Sequence, residues 1–352
     1  MNNVLILNET LTSVSVTVRC PTVKNTEKSD SPLVRAHAVC QTEMQEVNAC
    51  IRQHLSSDVS MVPAVGHYII ESGGKRLRPL LSILSARLFG YTGKRHIPLG
   101  VVVEFLHTAS LLHDDVVDEA ALRRGYPSAN GVWGNQASVL VGDFLFSRSF
   151  QMMVQDGCMG VLELFARAAN TLAEGELLQL SRTFHLGISE AEYMEVIERK
   201  TAVLFAAAAE IGARVSGRDE WINNMSGYGR GLGLAFQLAD DALDYVSEAD
   251  AVGKPVGHDL EQGRMTLPLI YAMSRDAGLA ERVKQIGDRR GYAEGEFQWL
   301  RQRVQDLGGV DYCLDRAAAC AEEAKNLLPE GEDASVRQLM ADLADFAGQR
   351  VY

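Results

Sequence analysis

From Leu33 onward, apolar residues return at every third or fourth position over long stretches, which is the period of helices that each bury one face. Little interrupts that period. Proline breaks a helix interior by removing a hydrogen bond and clashing with the preceding turn, and only nine prolines occur in 352 residues. The segments 97–119, 136–155, 159–184, 190–216, 223–247, 266–275, 296–307, 311–327 and 334–349 all carry the helical spacing. Residues 250–264 are punctuated by Gly253, Pro255, Gly257 and Gly263 and read as a loop. No alternating strand pattern occurs outside the first thirty residues. The spacing predicts an all-α fold, with a single large helical domain over 32–352 and a loosely attached polar extension over 1–31. So long a chain around one core favours a helix bundle with a central cavity.

The formal net charge of −12 argues against nucleic acid as a partner, since such a chain repels a phosphate backbone. The six cysteines form no C-x-x-C pair, so they read as free thiols of a reducing compartment. No apolar run reaches the roughly 18 residues of a membrane span, and Val4–Leu7 lacks the flanks of a signal peptide. A cytoplasmic protein with no transmembrane segment is the expectation.

Two acidic motifs carry the chemistry. Asp114-Asp115-Val116-Val117-Asp118 is repeated as Asp240-Asp241-Ala242-Leu243-Asp244, each copy at the C-terminal end of an apolar helical run. Residues four apart share a helix face, so Asp114 pairs with Asp118 and Asp240 with Asp244. Carboxylates crowded at a helix C-terminus repel one another and the helix dipole. The arrangement makes sense if cations neutralise it, and an all-oxygen donor set points to Mg²⁺, with Mn²⁺ as a substitute. One acidic cluster alone could be a solvated surface, but two matching copies behind apolar helices are not explained that way.

The basic residues complement them. Lys75, Arg76 and Arg78 follow a Gly73-Gly74 turn, Arg123-Arg124 comes five residues after Asp118, and Lys200-Thr201 ends an acidic helical stretch. Lys75, Arg78, Arg123 and Arg124 suggest a site for a polyanion such as diphosphate. Arg76 is expected to make a local salt bridge instead. The glycine-rich segment Gly227–Gly233 lacks the spacing and preceding strand of a dinucleotide site and predicts close helix packing. Gly74-Lys75 is no phosphate-binding P-loop.

These motifs resemble those of the trans-isoprenyl (polyprenyl) diphosphate synthases, most closely the bacterial octaprenyl-type long-chain group. The resemblance rests on Gly73-Gly74-Lys75-Arg76-Leu77-Arg78-Pro79, Leu111–Asp118, Arg123-Arg124-Gly125, Lys200-Thr201, Phe236–Asp244 and Gly253–Asp259. It implies antiparallel helices around an apolar tunnel, usually in a homodimer, and repeated addition of isopentenyl diphosphate to an allylic prenyl diphosphate. It further implies that Asp114 and Asp118, with Asp115 beside them, and Asp240 with Asp244 opposite, hold Mg²⁺. Arg123, Lys200 and Lys254 would contact the allylic diphosphate, and Lys75, Arg78, His107 and Arg124 isopentenyl diphosphate. Thr201 and Gln237 would lie near the reacting carbons. Ala109 and Ser110 are small where short-chain members tend to have aromatics, which implies a long product for a membrane quinone, with Phe146 and Phe150 as further candidates for the tunnel floor. Arg264 stands where the family usually has Lys.

Rival interpretations are a shorter-chain synthase, a terpene cyclase, or a non-catalytic subunit of a heteromeric synthase. Cyclases generally lack the second acidic motif and the Lys75/Arg78 cluster, and inactive subunits tend to lose aspartates that are all present here.

Overall fold

The computed structural model describes residues 31–71, 74–246, 258–330 and 332–349. Residues 1–30 and 247–257, with Lys254, lie outside them. The first helices are α1 (Pro32–Val39), α2 (Gln41–His54), α3 (Met61–Glu71), α4 (Leu77–Leu88) and α5 (His96–Val117). A two-residue hairpin, β1 (Leu122–Arg123) with β2 (Tyr126–Pro127), separates α5 from the short α6 (Ala129–Trp133). There follow α7 (Asn135–Asp156), α8 (Met159–Ser181), α9 (Glu190–Ile197), α10 (Val203–Val215) and α11 (Ile222–Leu243). The chain continues through α12 (His258–Glu261), α13 (Leu267–Arg275), α14 (Ala277–Arg289), α15 (Glu296–Asp306), α16 (Gly309–Leu327) and α17 (Ala334–Gly348).

The all-α expectation holds, with three corrections. The 250–264 loop contains one helical turn, α12. The stretch 190–216 is not one α-helix, because Glu198–Ala202 forms a π-turn between α9 and α10. The small β1–β2 hairpin was not visible in any alternating pattern. Helix ends are set by local chemistry. Ser31 caps α1 with Pro32 in its first turn, and Ser189 forms a capping box with Glu192 at α9. Asp276 and Asp333 cap α14 and α17.

Gly227–Gly233 does what its composition predicts. A methyl group on Gly229 would lie 2.3 Å from the Phe205 carbonyl oxygen, and one on Gly233 would lie 2.7 Å from Ala202 Cα. On the other side of α11, Gly231 would meet Cys320 O and Ala324 Cβ at 2.9 Å each. Glycines four apart thus let α11 touch the π-turn and α10 on one face and α16 on the other, backbone to backbone. Gly229→Ala should cost about 1–3 kcal/mol, because the methyl meets a carbonyl rather than a yielding side chain. A lowered urea midpoint would show this; a parental midpoint would mean that α10 and α11 can separate without penalty.

Helix α5 lies against α7. Ser138 Oγ donates to the Leu112 carbonyl at 2.9 Å, and Gly142 leaves room for the His113 ring. Among the described residues Cys40, Cys50, Cys158, Cys313 and Cys320 are free, as expected. Burial pushes the Cys40 thiol up to about 12, so it is inert toward oxidants that need a thiolate. No helix among the described residues is long and apolar enough to cross a membrane.

Candidate active site

The first acidic motif occupies the last turn of α5. The Asp118 amide donates to the Asp114 carbonyl at 2.8 Å, so the two side chains stand one turn apart on one face. Burial raises the Asp114 carboxyl, and the Asp118 charge adds to this, while Lys200 opposes them. Lys200 Nζ lies 3.3 Å from Asp114 Oδ2 and 2.6 Å from Glu176 Oε2. Asp118 caps α5 and pairs with the Arg264 guanidinium, which also faces Asp259 at 3.8 Å. Each carboxylate of the pair therefore meets a cation from another segment of the chain.

Asp115 points elsewhere. Its side chain is fully buried and takes the Nε and Nη2 fork of Arg123 at 2.7 and 2.6 Å. It orients Arg123 instead of facing the Asp114–Asp118 side.

The π-turn links the two acidic motifs. Its Lys200 meets Asp114 on α5, and Thr201 Oγ1 donates to Gln237 Oε1 on α11 at 2.9 Å. Gln237 Nε2 in turn donates to Asp241 Oδ1 at 2.7 Å, and the Tyr193 hydroxyl donates to Asp241 Oδ2 at 2.5 Å. Asp241 is buried, and that burial raises its carboxyl to about 7. It fixes the Gln237 amide, while Asp240 is exposed and Asp244 half-buried at the end of α11. The middle acid of each motif thus points inward to orient a neighbour, unlike the outer two.

The basic residues gather around His107. Burial keeps this imidazole well below its usual range, and the guanidiniums of Arg78, Arg124, Arg123 and Arg76 push the same way. Arg76 pairs with Glu104 at 3.0 Å, the local salt bridge expected of it. Arg78 packs its guanidinium 4.5 Å from the Phe205 ring centroid and has a buried Nε with no hydrogen-bond partner. Burial lowers Arg78 to about 10, which still leaves it cationic at neutral pH. Lys75 approaches the Phe346 ring, and Arg124 lies against Gly74. A buried N–H of a guanidinium left without an acceptor is costly, so the cluster suits an incoming anion.

The sequence motifs did not reveal Glu104, Glu176 or Tyr193. Glu176 follows a glycine inside an apolar helix, which was its only local signal. Ala109 is buried in the core, whereas Ser110 is half-buried and bonds back to the His107 carbonyl at 2.8 Å.

Residues 59–304 match the family described as polyprenyl synthetase. The chain belongs to that family. The polyprenyl synthetase fold accounts for its all-α bundle, and solved members are close in structure. A Caulobacter crescentus polyprenyl synthase, solved with calcium and isoprenyl diphosphate, superposes with a TM-score of 0.87 and 45% identity, covering 92% of this chain and 99% of that one. A Rhodobacter capsulatus decaprenyl diphosphate synthase gives a TM-score of 0.85 at 40% identity, covering 91% of this chain and 100% of that one. In sequence, octaprenyl diphosphate synthase of Escherichia coli is 42% identical over 90% of this chain and 99% of its own length. This polyprenyl synthetase is a prenyltransferase of the long-chain trans-polyprenyl diphosphate synthase type.

Proposed function

We propose that the enzyme makes an octaprenyl-class product by Mg²⁺-assisted condensation of isopentenyl diphosphate with an allylic diphosphate. The observation that carries this is the pairing of two unlike sites: outward carboxylates on α5 and α11, and a cluster of arginines around a neutral His107 that includes the unpartnered Arg78 Nε.

The donor set suits a hard divalent cation. Asp114 and Asp118 already draw Lys200 and Arg264, so their charge invites neutralisation. Mg²⁺ usually keeps several waters and is held by one or two carboxylates together with substrate phosphates, so two carboxylates per helix would suffice. Held by Asp114 and Asp118, and by Asp240 with Asp244 on the opposite helix, Mg²⁺ ions would neutralise the charge that develops on the departing diphosphate. Lys200, Arg264 and Arg123 would stabilise the same charge, with Lys254 joining them from outside the described residues. Lys75, Arg78 and Arg124 would hold isopentenyl diphosphate, and a neutral His107 can hydrogen-bond without adding charge. Thr201 and Gln237, fixed by Asp241 and Tyr193, would present oxygens toward the allylic cation. Loss of a proton to the departing diphosphate would complete each addition. Apolar walls would keep water from quenching the cation.

A homodimer is part of this reading. Leu140, Val154, Met159, Leu177 and Leu180 leave apolar surface open on α7 and α8, which favours a second copy. The product would be passed to a membrane.

Incubation of the pure protein with farnesyl diphosphate, labelled isopentenyl diphosphate and Mg²⁺ tests the whole. A product near eight isoprene units is expected; a cyclic hydrocarbon or no turnover would overturn the assignment. Arg264→Lys should keep most activity, because a cation near Asp118 is retained. Arg264→Ala should raise the allylic KM by roughly tenfold, as expected for loss of a charge-assisted contact. An unchanged KM in the alanine variant would remove Arg264 from the site.

A further inference from the structure

The π-turn Glu198–Ala202 is gripped by α8 at two consecutive positions. Glu174 pairs with Arg199 at 2.9 Å, and Glu176 pairs with Lys200 at 2.6 Å. The glycine between them makes the grip possible: a methyl on Gly175 would lie 2.8 Å from Arg199 Cβ and 2.9 Å from the Lys200 amide nitrogen. The backbone of α8 therefore touches the turn. The outer pair is well exposed and of the kind that contributes little. The inner pair is more buried, with side chains 22% and 27% exposed, and it reaches the first acidic motif.

Among the described residues Lys200 has two carboxylates to choose between, and Glu176 is the nearer. Asp114 lies 3.3 Å away on α5 and is the one expected to be engaged by a divalent cation. Once that happens, Asp114 can no longer hold Lys200, because its charge is shared with the ion. Among the described residues Glu176 is then the carboxylate that keeps the ammonium at the edge of the site. Nothing in the acidic or basic motifs assigns a role to Glu176.

We propose that Glu176 is a positioning residue that holds Lys200, across the α8–π-turn contact, in the place where it meets the allylic diphosphate. The proposal rests on the assignment of Lys200 to that diphosphate. Glu176 acts through Lys200 and touches no substrate itself. Its effect should therefore appear in allylic binding, spare isopentenyl diphosphate, and vanish when Lys200 is gone.

A double-mutant cycle separates these outcomes. Glu176→Gln keeps the shape and removes the charge. It should raise the allylic KM by roughly tenfold, with the isopentenyl diphosphate KM within about twofold of the parent. Lys200→Ala should raise the allylic KM at least as much, and adding Glu176→Gln to it should change that KM by less than about twofold. An unchanged allylic KM in Glu176→Gln, a parallel rise for both substrates, or losses that multiply in the double variant would overturn the positioning role while leaving Lys200 in place. A parental allylic KM in Lys200→Ala would overturn the assignment of Lys200, and the inference with it. Should Glu176→Gln not accumulate as folded protein, Glu176→Asp withdraws the charge by one methylene and should give the same selective rise.

Discussion

Asp114→Asn and Asp240→Asn are each expected to lower turnover by about 10²-fold or more, the scale on which a transition-state charge stabiliser is lost. Asparagine keeps the size of the side chain, so the packing of α5 and α11 should survive. What it removes is the negative charge that a hard cation needs. Asp114 adds a sharper expectation. Burial raises its carboxyl, so the ionised form is held in the fold at a cost. Asparagine removes that cost, and the variant should unfold at a urea concentration no lower than the parent. Activity lost with stability kept is the signature of a group retained for chemistry. Chelation with excess EDTA should abolish turnover in the parent, and added Mg²⁺ should restore it. Near-normal activity in both variants, or full activity in EDTA, would sink the metal assignment.

Ser110→Phe is expected to shorten the product by several isoprene units while leaving the acidic motifs intact. Ala109 and Ser110 looked equivalent in the sequence. In the fold, Ala109 is 1% exposed within the packed core, and Ser110 is half-buried. A ring at 109 would overpack the core and cost stability, whereas a ring at 110 has space to enter. The helix pairing indicates what it would meet. His113 on α5 packs at Gly142 on α7. One turn back along α5 is Ser110, and one turn onward along α7 is Phe146, because the two helices run antiparallel. Phe146 and Phe150 lie there with ring centroids 5.3 Å apart and planes tilted by 56°, and both are partly open. Phe146→Ala should therefore lengthen the product, in the direction opposite to Ser110→Phe. Mass analysis of the extracted prenols decides between them. An unchanged distribution from two folded, active variants would put the limit on chain growth elsewhere.

Much of the site was legible because its elements are local. An i, i+4 pair of aspartates lies on one helix face wherever that helix goes, so Asp114 with Asp118 and Asp240 with Asp244 could be paired from spacing alone. The same holds for the glycines of α11, whose spacing of four residues demands a close neighbour on each face. The all-α fold followed from a period that runs through most of the chain with few prolines. The π-turn at 198–202 was not legible, because a single inserted residue hardly disturbs the apolar period of 190–216. The hairpin at 122–127 was not legible either, since two-residue strands have no pattern.

The sequence by itself determined which residues are charged, on which helix faces they stand, and that two matching acidic motifs close two apolar helices. Only the tertiary structure decided which of those charges face each other. It turned Asp115 toward Arg123 and Asp241 toward Tyr193 and Gln237, and set Asp114 against Lys200. It also brought Glu176 from α8 to Lys200, and Arg264 from after α12 to Asp118. The physical reason is one of range. Helical spacing is fixed by backbone hydrogen bonds four residues apart, whereas the partner of a buried charge is fixed by packing between distant segments, as with Asp118 and Arg264, 146 residues apart in the chain.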